Sequence, residues 1–314
     1  MPRSHRGYLK LSLRLGNGLR LRIVERPGLS LAPAAQIKLL EDLRTVANSV
    51  IANGDVGYGV LSGAPDRLAN AVVTLIYDRA TGTPMAFNAL AVLPLSLAGQ
   101  QVELLHLGLV MVNPALRGRG LSMMLYGLTC VLLFLRGQCR PIRLSNVTQV
   151  PAVFGMVAET FAKVFPTPTQ PNQPSFEHRI LARQIMRHHR HVFGVGAEAV
   201  FDEHRSVIMN AYTGGSDELK KTFDEAPKHR REAYNAMCAD QLDYARGDDF
   251  LQIGRIDMAA VRNYLSRVVK PQSAPWLAGQ LLLFALQSAV MPVLHWFADD
   301  QQWGILRPWR PGRR

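Results

Sequence analysis

The sequence predicts an α/β fold, of the α+β kind with a mixed sheet, for its first half. Three observations predict it. Apolar, strand-length runs recur over 71–78, 84–93 and 102–112. The third run enters a short Gly/Arg loop, which opens an apolar run of helix length over 121–135. A further strand-like run at 141–147 and a helix over 151–164 complete the order strand, strand, strand, loop, helix, strand, helix. With 314 residues, 48% hydrophobic and 19% charged, the chain is globular with ample core and is not a disordered polymer.

Each element has a local reason. The N-terminal Met1–Gly7 is basic but has no apolar stretch after it; Leu9, Leu11 and Leu13 alternate with Lys10, Ser12 and Arg14. That pattern reads as a strand and not a signal peptide, so a cytoplasmic protein is expected. Residues 32–51 read as a helix, with Leu39, Leu40, Leu43 and Val46 at helical spacing. Arg79-Ala80-Thr81-Gly82-Thr83 suits a tight hairpin turn between the first two apolar runs. The prolines of 166–174 break the pattern. They divide an expected core, 1–166, from the second half of the chain, with a linker at 167–175.

The second half divides into a mixed α/β extension, 176–271, and an apolar C-terminal segment, 272–314. Residues 176–190 look helical and basic, ending in Arg187-His188-His189-Arg190-His191. A zinc or phosphate site competes there with a solvated helix end, where cations complement the dipole. The second reading is preferred, because Cys or carboxylate partners at ligand spacing are missing. Residues 206–211 read as a strand, 228–242 as a helix and 250–256 as a strand. Gly214 and Gly215, with Asp248 and Asp249, either line a pocket or are ordinary turn residues. Cys130, Cys139 and Cys238 are odd in number and lack metal-ligand spacing, which suits free thiols in a reducing compartment.

The Gly/Arg loop carries the chemistry. A strand, a short loop and a helix start leave backbone N–H groups pointing outward, and the helix dipole favours an anion there. Glycine permits close approach, and arginine adds fork-shaped donors. A solvated turn would need the same residues. The order Val112-Asn113-Pro114-Ala115-Leu116-Arg117-Gly118-Arg119-Gly120-Leu121-Ser122 resembles the acyl-CoA-binding motif of the GNAT acyltransferase superfamily, Gln/Arg-x-x-Gly-x-Gly/Ala. Arg117 and Gly120 match, and Ser122 stands where Gly or Ala is usual. The resemblance covers roughly residues 20–166. It implies a GNAT-like core, acyl-CoA as co-substrate and no metal. It also implies that the amides from Leu116 to Ser122, with Arg117, Gly118, Arg119, Gly120 and Leu121, hold the CoA pyrophosphate.

The resemblance further implies a splayed gap between the family's fourth and fifth strands. There a backbone N–H near Leu109, Val110, Met111 or Val112 would bind the thioester carbonyl. His106 lies an even number of residues before Val112, so periodicity places His106, Gly108, Val110 and Val112 on one face. Some family members carry a catalytic Glu near the position of His106, and imidazole titrates near neutrality. A hydrogen-bonded core histidine is the competing reading, and Glu103 is the second candidate base. Asn146 matches by position an Asn that precedes the family's general-acid Tyr. The Tyr would fall at Val153 or Phe154, which have no hydroxyl, so water is left to protonate the thiolate. Tyr126 is not at the acid position.

A formal charge of +12 favours polyanionic partners, but no nucleic-acid motif is present. Residues 276–297 are nearly free of charge, flanked by Trp276, Trp296, Trp303 and Trp309 and followed by a cationic tail. Such a segment suits an anionic membrane surface better than a full span, or else a buried helix or oligomer contact. The expected reaction is transfer of an acyl group from acyl-CoA to a primary amine, with a lipid or long-chain amine as the sharper version. A soluble acetyltransferase and a non-catalytic acyl-CoA-binding module are the alternatives.

Overall fold

Strand β1 (Lys10–Arg14) turns its leucines inward and pairs antiparallel with β2 (Leu19–Glu25). The computed structural model describes residues 8–15, 18–51, 59–116, 120–169 and 173–268, with positions 278, 279, 282, 283, 286 and 290 beyond them. Strands β3 (Ala71–Asp78), β4 (Pro84–Leu97) and β5 (Gln100–Leu107) continue the sheet antiparallel and in chain order. The hairpin expected at 79–83 is present. The Asp78 carboxylate accepts from the amides of Ala80 and Thr81 at 2.8 and 2.9 Å, and Gly82 takes φ +72°.

Between β2 and β3 lie α1 (Pro27–Ser30), α2 (Pro33–Val50) and α3 (Pro65–Ala69). Each has proline at its start, where the missing N–H costs nothing. Helix α2 packs Leu39, Leu43 and Val46 with Val73, Leu75 and Phe87 of the sheet.

After β5 a short strand, β6 (Val110–Val112), returns to pair with β4. Helix α4 (Leu121–Arg136) then crosses to β7 (Ile142–Thr148), which lies parallel to β5. Helix α5 (Pro151–Thr160) comes next. The helix expected to run to 164 stops four residues short, and Ala162–Phe165 forms β8. Pairing with a distant strand overrides local helix propensity there.

Helix α6 (Phe176–Gln184) starts at a Ser175/His178 capping box. It ends earlier than expected: residues 185–189 widen into a π turn and 190–193 tighten into a 3₁₀ turn closed by Gly194 at φ +73°. Strands β9 (Val200–Asp202) and β10 (Val207–Met209), helix α7 (Glu232–Gln241), strand β11 (Asp249–Ile256) and helix α8 (Met258–Val268) complete the described chain.

Strand β11 alters the expected division at the prolines. It inserts between β7 and β10 and also pairs with β8, so one eleven-stranded sheet runs across the proline-rich break. Gln252 fastens this junction. Its amide donates to the carbonyls of Phe154 and Pro166 and accepts from Asn146. The stretch 166–248 is therefore a long excursion between neighbouring strands of a single sheet.

One face of the sheet is covered by α4, α5 and α8. The other carries α2 over its first strands, and α6 with the excursion over Leu93, Leu104, Leu251 and Ile253. Most of 272–314 falls outside the described residues, including all four tryptophans and the cationic tail. The positions described there, among them Leu282, Leu283, Leu286 and Val290, are exposed. Among the described residues no helix is long and apolar enough to cross a membrane.

Candidate active site

Strands β5 and β6 form one line against β4, interrupted at Gly108. His106 sits opposite Ala91, and Val110 sits opposite Asn88. Four residues advance on one side against three on the other, which defines a β-bulge at Gly108–Leu109. The bulge inverts the faces. Leu105 and Leu107 point toward α4, and so do Val110 and Val112; His106 points to the opposite side, against Phe193. The single face expected for His106, Val110 and Val112 is thus corrected, because the extra residue shifts the two-residue period by one.

The bulge also parts the parallel strands. Pairing of β5 with β7 ends at Leu107 opposite Asn146, and among the described residues β6 pairs with β4 alone. The Ala89 amide donates to Leu109 and the Asn113 amide to Met85, so alternate residues of this line bond to β4. By that alternation the N–H of Val110 points away from β4, into the gap that β7 has vacated. The Tyr126 hydroxyl on α4 donates to the Gly108 carbonyl and holds the bulge in place.

Helix α4 begins at Gly120, which is left-handed at φ +71°. No side chain caps this start, and its first turn has no acidic residue. Among the described residues its first backbone bond back runs from Met124 to Gly120, which leaves the amides of Leu121, Ser122 and Met123 without a described partner. Arg117, Gly118 and Arg119 lie outside the described residues.

A cavity of about 710 Å³ runs through the gap. Leu109, Val110, Met111 and Tyr126 line one side; His106, Phe193, Tyr212 and Asp249 line the other. A parallel strand pair split by a bulge, beside the start of α4, is the arrangement that the sequence's resemblance to the GNAT superfamily implies.

No family model matches the sequence, and no curated protein matches it significantly. Solved structures similar to it include the ribosomal-protein-S5-alanine acetyltransferase of Vibrio fischeri, at 7% identity and TM-score 0.30, covering 47% of this chain and 80% of that one. A GNAT family acetyltransferase from Brucella melitensis in complex with acetyl-CoA is 20% identical at TM-score 0.27, covering 40% and 74%. A Trypanosoma brucei acetyltransferase is 26% identical at TM-score 0.25, covering 38% and 77%. At such scores these likenesses carry no argument about this chain; its own strand order and bulge do.

Within this core, the residues singled out from sequence meet different fates. His106 lines the cavity, 2% exposed, with Nδ1 at 2.9 Å from the Ser145 hydroxyl and its ring stacked on Phe193. Burial pushes its pKa down to about 3, so the imidazole stays neutral and is a poor proton acceptor. Its contacts are those of a packed core histidine, and the role of base read from sequence is not favoured. Glu103 is not in the cavity wall; it pairs with Arg26 at 3.0 Å. Leu109, Val110 and Met111 line the cavity, whereas Val112 packs toward α4. Asn146 is at the gap but is engaged by Gln252, and neither position where the resemblance would put the acid, Val153 or Phe154, has a hydroxyl.

The His/Arg cluster is structural in its contacts. His189 bonds the Pro94 carbonyl at 2.9 Å, and Arg190 donates to the carbonyls of Met186, Ala197 and Ala199. These bonds brace the turn that presents Phe193 to His106. Among the described residues no group of three His, Cys, Asp or Glu is placed to hold a metal.

Sequence reasoning leaves two wall residues unassigned. Tyr126 is not at the GNAT acid position, yet its hydroxyl sits on the bulge. Asp249, readable from sequence as either a pocket or a turn residue, lines the cavity. The only sequence signal for it is its place before a strand with alternation, which puts it on the face of Leu251 and Ile253.

Proposed function

We propose that this chain is an N-acyltransferase that moves an acyl group from acyl-CoA to a primary amine. The bulge carries this reading, because it opens the sheet at the point where a backbone donor is exposed beside an uncapped helix. The CoA pyrophosphate lies on the amides at the start of α4, with Arg117 and Arg119 as the nearest cations in sequence. The pantetheine arm enters the gap between β6 and β7. The N–H of Val110 donates to the thioester oxygen, and the donation strengthens as that oxygen gains charge in the tetrahedral intermediate. A neutral amine forms the C–N bond, the C–S bond breaks with its electron pair on sulfur, and the proton lost from nitrogen goes to that thiolate, giving the amide and the CoA thiol. Incubation with acetyl-CoA or palmitoyl-CoA and a panel of primary amines tests this. Thiol release that requires an amine is the expected result. Tight acyl-CoA binding without release for any amine would leave a binding module instead.

The acceptor reading extends to an amphiphilic amine at an anionic membrane surface. The exposed Leu282, Leu283, Leu286 and Val290, spaced as one helical stripe, favour it, together with the cationic tail. The chain is expected to float with anionic vesicles and to lose flotation when residues 272–314 are removed. Flotation that survives the deletion, or no flotation at all, rejects the membrane reading and leaves a small-amine or protein acetyltransferase.

A further inference from the structure

The cavity has a polar wall on the side away from α4, built by the excursion 166–248 and the start of β11. Asp249 opens β11 next to the end of β7, where Gln252 pairs with Asn146 and Phe250 with Thr148. Its side chain lines the same cavity as Val110. It shares a sheet face with Leu251, Ile253 and His106, opposite to the α4 side.

Asp249 is 4% exposed, and buried carboxylates are costly unless satisfied. The Tyr212 hydroxyl donates to its Oδ1 at 3.1 Å. No described residue donates to Oδ2. The contrast with its neighbour is sharp. Asp248 is held by the Arg246 fork at 2.6 and 2.8 Å and by the amides of Asn210 and Asp243. One carboxylate is fully tied into a turn; the next has a single donor and faces a cavity. Asp248 precedes Asp249 in the chain, and the charged or titratable groups that line the cavity with it include Tyr212, Glu218, Lys221, His106, His189, His191, Asp66 and Arg67.

Burial pushes the Asp249 carboxyl up to about 7; the Tyr212 hydrogen bond opposes that rise and Asp248 adds to it. Proton affinity is thus set where a general base works near neutrality, which His106 is not.

We propose that Asp249 binds the acceptor's primary ammonium group and takes its proton, and that Tyr212 is the residue positioning this carboxylate. The proposal rests on the N-acyltransferase reading. The ammonium gives one proton to Oδ2 of Asp249. The freed lone pair forms the C–N bond at the thioester carbon, and the C–S bond breaks with its electron pair on sulfur. The second nitrogen proton passes to that thiolate, giving the CoA thiol and a neutral amide, and Asp249 later releases its proton to water. Donor and acceptor meet from opposite faces of the sheet, through the gap at the bulge.

The test uses the full chain, acetyl-CoA and whichever panel amine the wild type turns over fastest. Wild-type rate is expected to rise with pH through a limb near 7, because the base must be ionised. Asp249→Asn should lower kcat/KM for the amine by about 10²–10⁴-fold, keep acyl-CoA affinity within about twofold and abolish the limb. The variant is expected to fold: a raised native pKa means the charged carboxylate destabilises the fold as pH climbs above the ordinary Asp range toward 7, and Asn removes that charge. Tyr212→Phe should move the limb to higher pH, since the bond it removes favours the ionised form; a merely structural tyrosine would change Tm and leave the limb in place. His106→Gln should retain the limb. Should Asp249→Asn lose acyl-CoA binding through misfolding, the limb of Tyr212→Phe decides, and an unmoved limb overturns the proposal. Turnover undiminished in Asp249→Asn overturns it while leaving N-acyl transfer intact; a wild type inactive on every amine sinks both.

Discussion

Replacing Gly108 by alanine is expected to lower kcat by about 10²–10³-fold, the usual cost of removing one oxyanion donor. A Cβ at this position would lie 2.4 Å from the backbone oxygen of Ala89. That atom belongs to β4, whose Ala89 amide is bonded to Leu109 at 2.8 Å, so neither side can yield without breaking the pairing. The bulge must open or slide, and the N–H of Val110 then leaves its place in the gap. Overpacking of this kind also lowers stability, by about 1–3 kcal/mol. A control separates the two effects. Gly82 has nothing within 4 Å of its Cβ but a φ of +72°, in a hairpin away from the cavity. Gly82→Ala should therefore lower Tm and leave kcat unchanged. If Gly108→Ala lowers Tm as Gly82→Ala does but keeps its kcat, the bulge is not the site of carbonyl binding.

The bulge marks the limit of what local pattern encodes. Leu105, Leu107, Val110 and Val112 are apolar on both sides of it, so the one-residue slip leaves no mark in the hydrophobic pattern. Gly108 alone hints at it, as an isolated glycine in a strand does. The elements before it are legible because each is decided locally: the hairpin by Asp78 and Gly82, and α2 by its leucines. Helix α4 beyond it is equally local, decided by its apolar run. Strand β11 is legible as a strand but not as a member of the first sheet. Its partners, β7 and β8, lie about a hundred residues away, and no local signal encodes that pairing. The same distance hides the polar wall. Arg246-Gly247-Asp248-Asp249 reads as a turn, and Asp248 indeed behaves as one; only the pairing of β11 turns the next carboxylate into the cavity. His106 is a different case. Its position suggests chemistry, but burial against Phe193, at 2% exposed, lowers its proton affinity.

Gly120→Val is expected to raise the Kd for acetyl-CoA by at least about 100-fold while leaving the fold in place. Among the described residues the Cβ meets nothing within 4 Å, so a clash with them does not carry the cost. It comes from φ +71°, which a β-branched residue rarely adopts, and from a side chain set in front of the first amides of α4. Hydrogen bonds to charged groups contribute about 1.5–3 kcal/mol each, so losing one or two accounts for the expected loss. Gly120→Ala divides the causes: it carries the backbone strain with little occlusion, and its Kd should fall between those of the wild type and the valine variant. The loss should shrink in high salt, where the wild type's own electrostatic advantage for the diphosphate is screened. Isothermal titration with acetyl-CoA, beside Tm for each variant, reads both quantities. Unchanged affinity in Gly120→Val at unchanged Tm would move the diphosphate off the helix start. The gap at Val110 would then have no anchor for the donor, and N-acyl transfer at this site would fall with it.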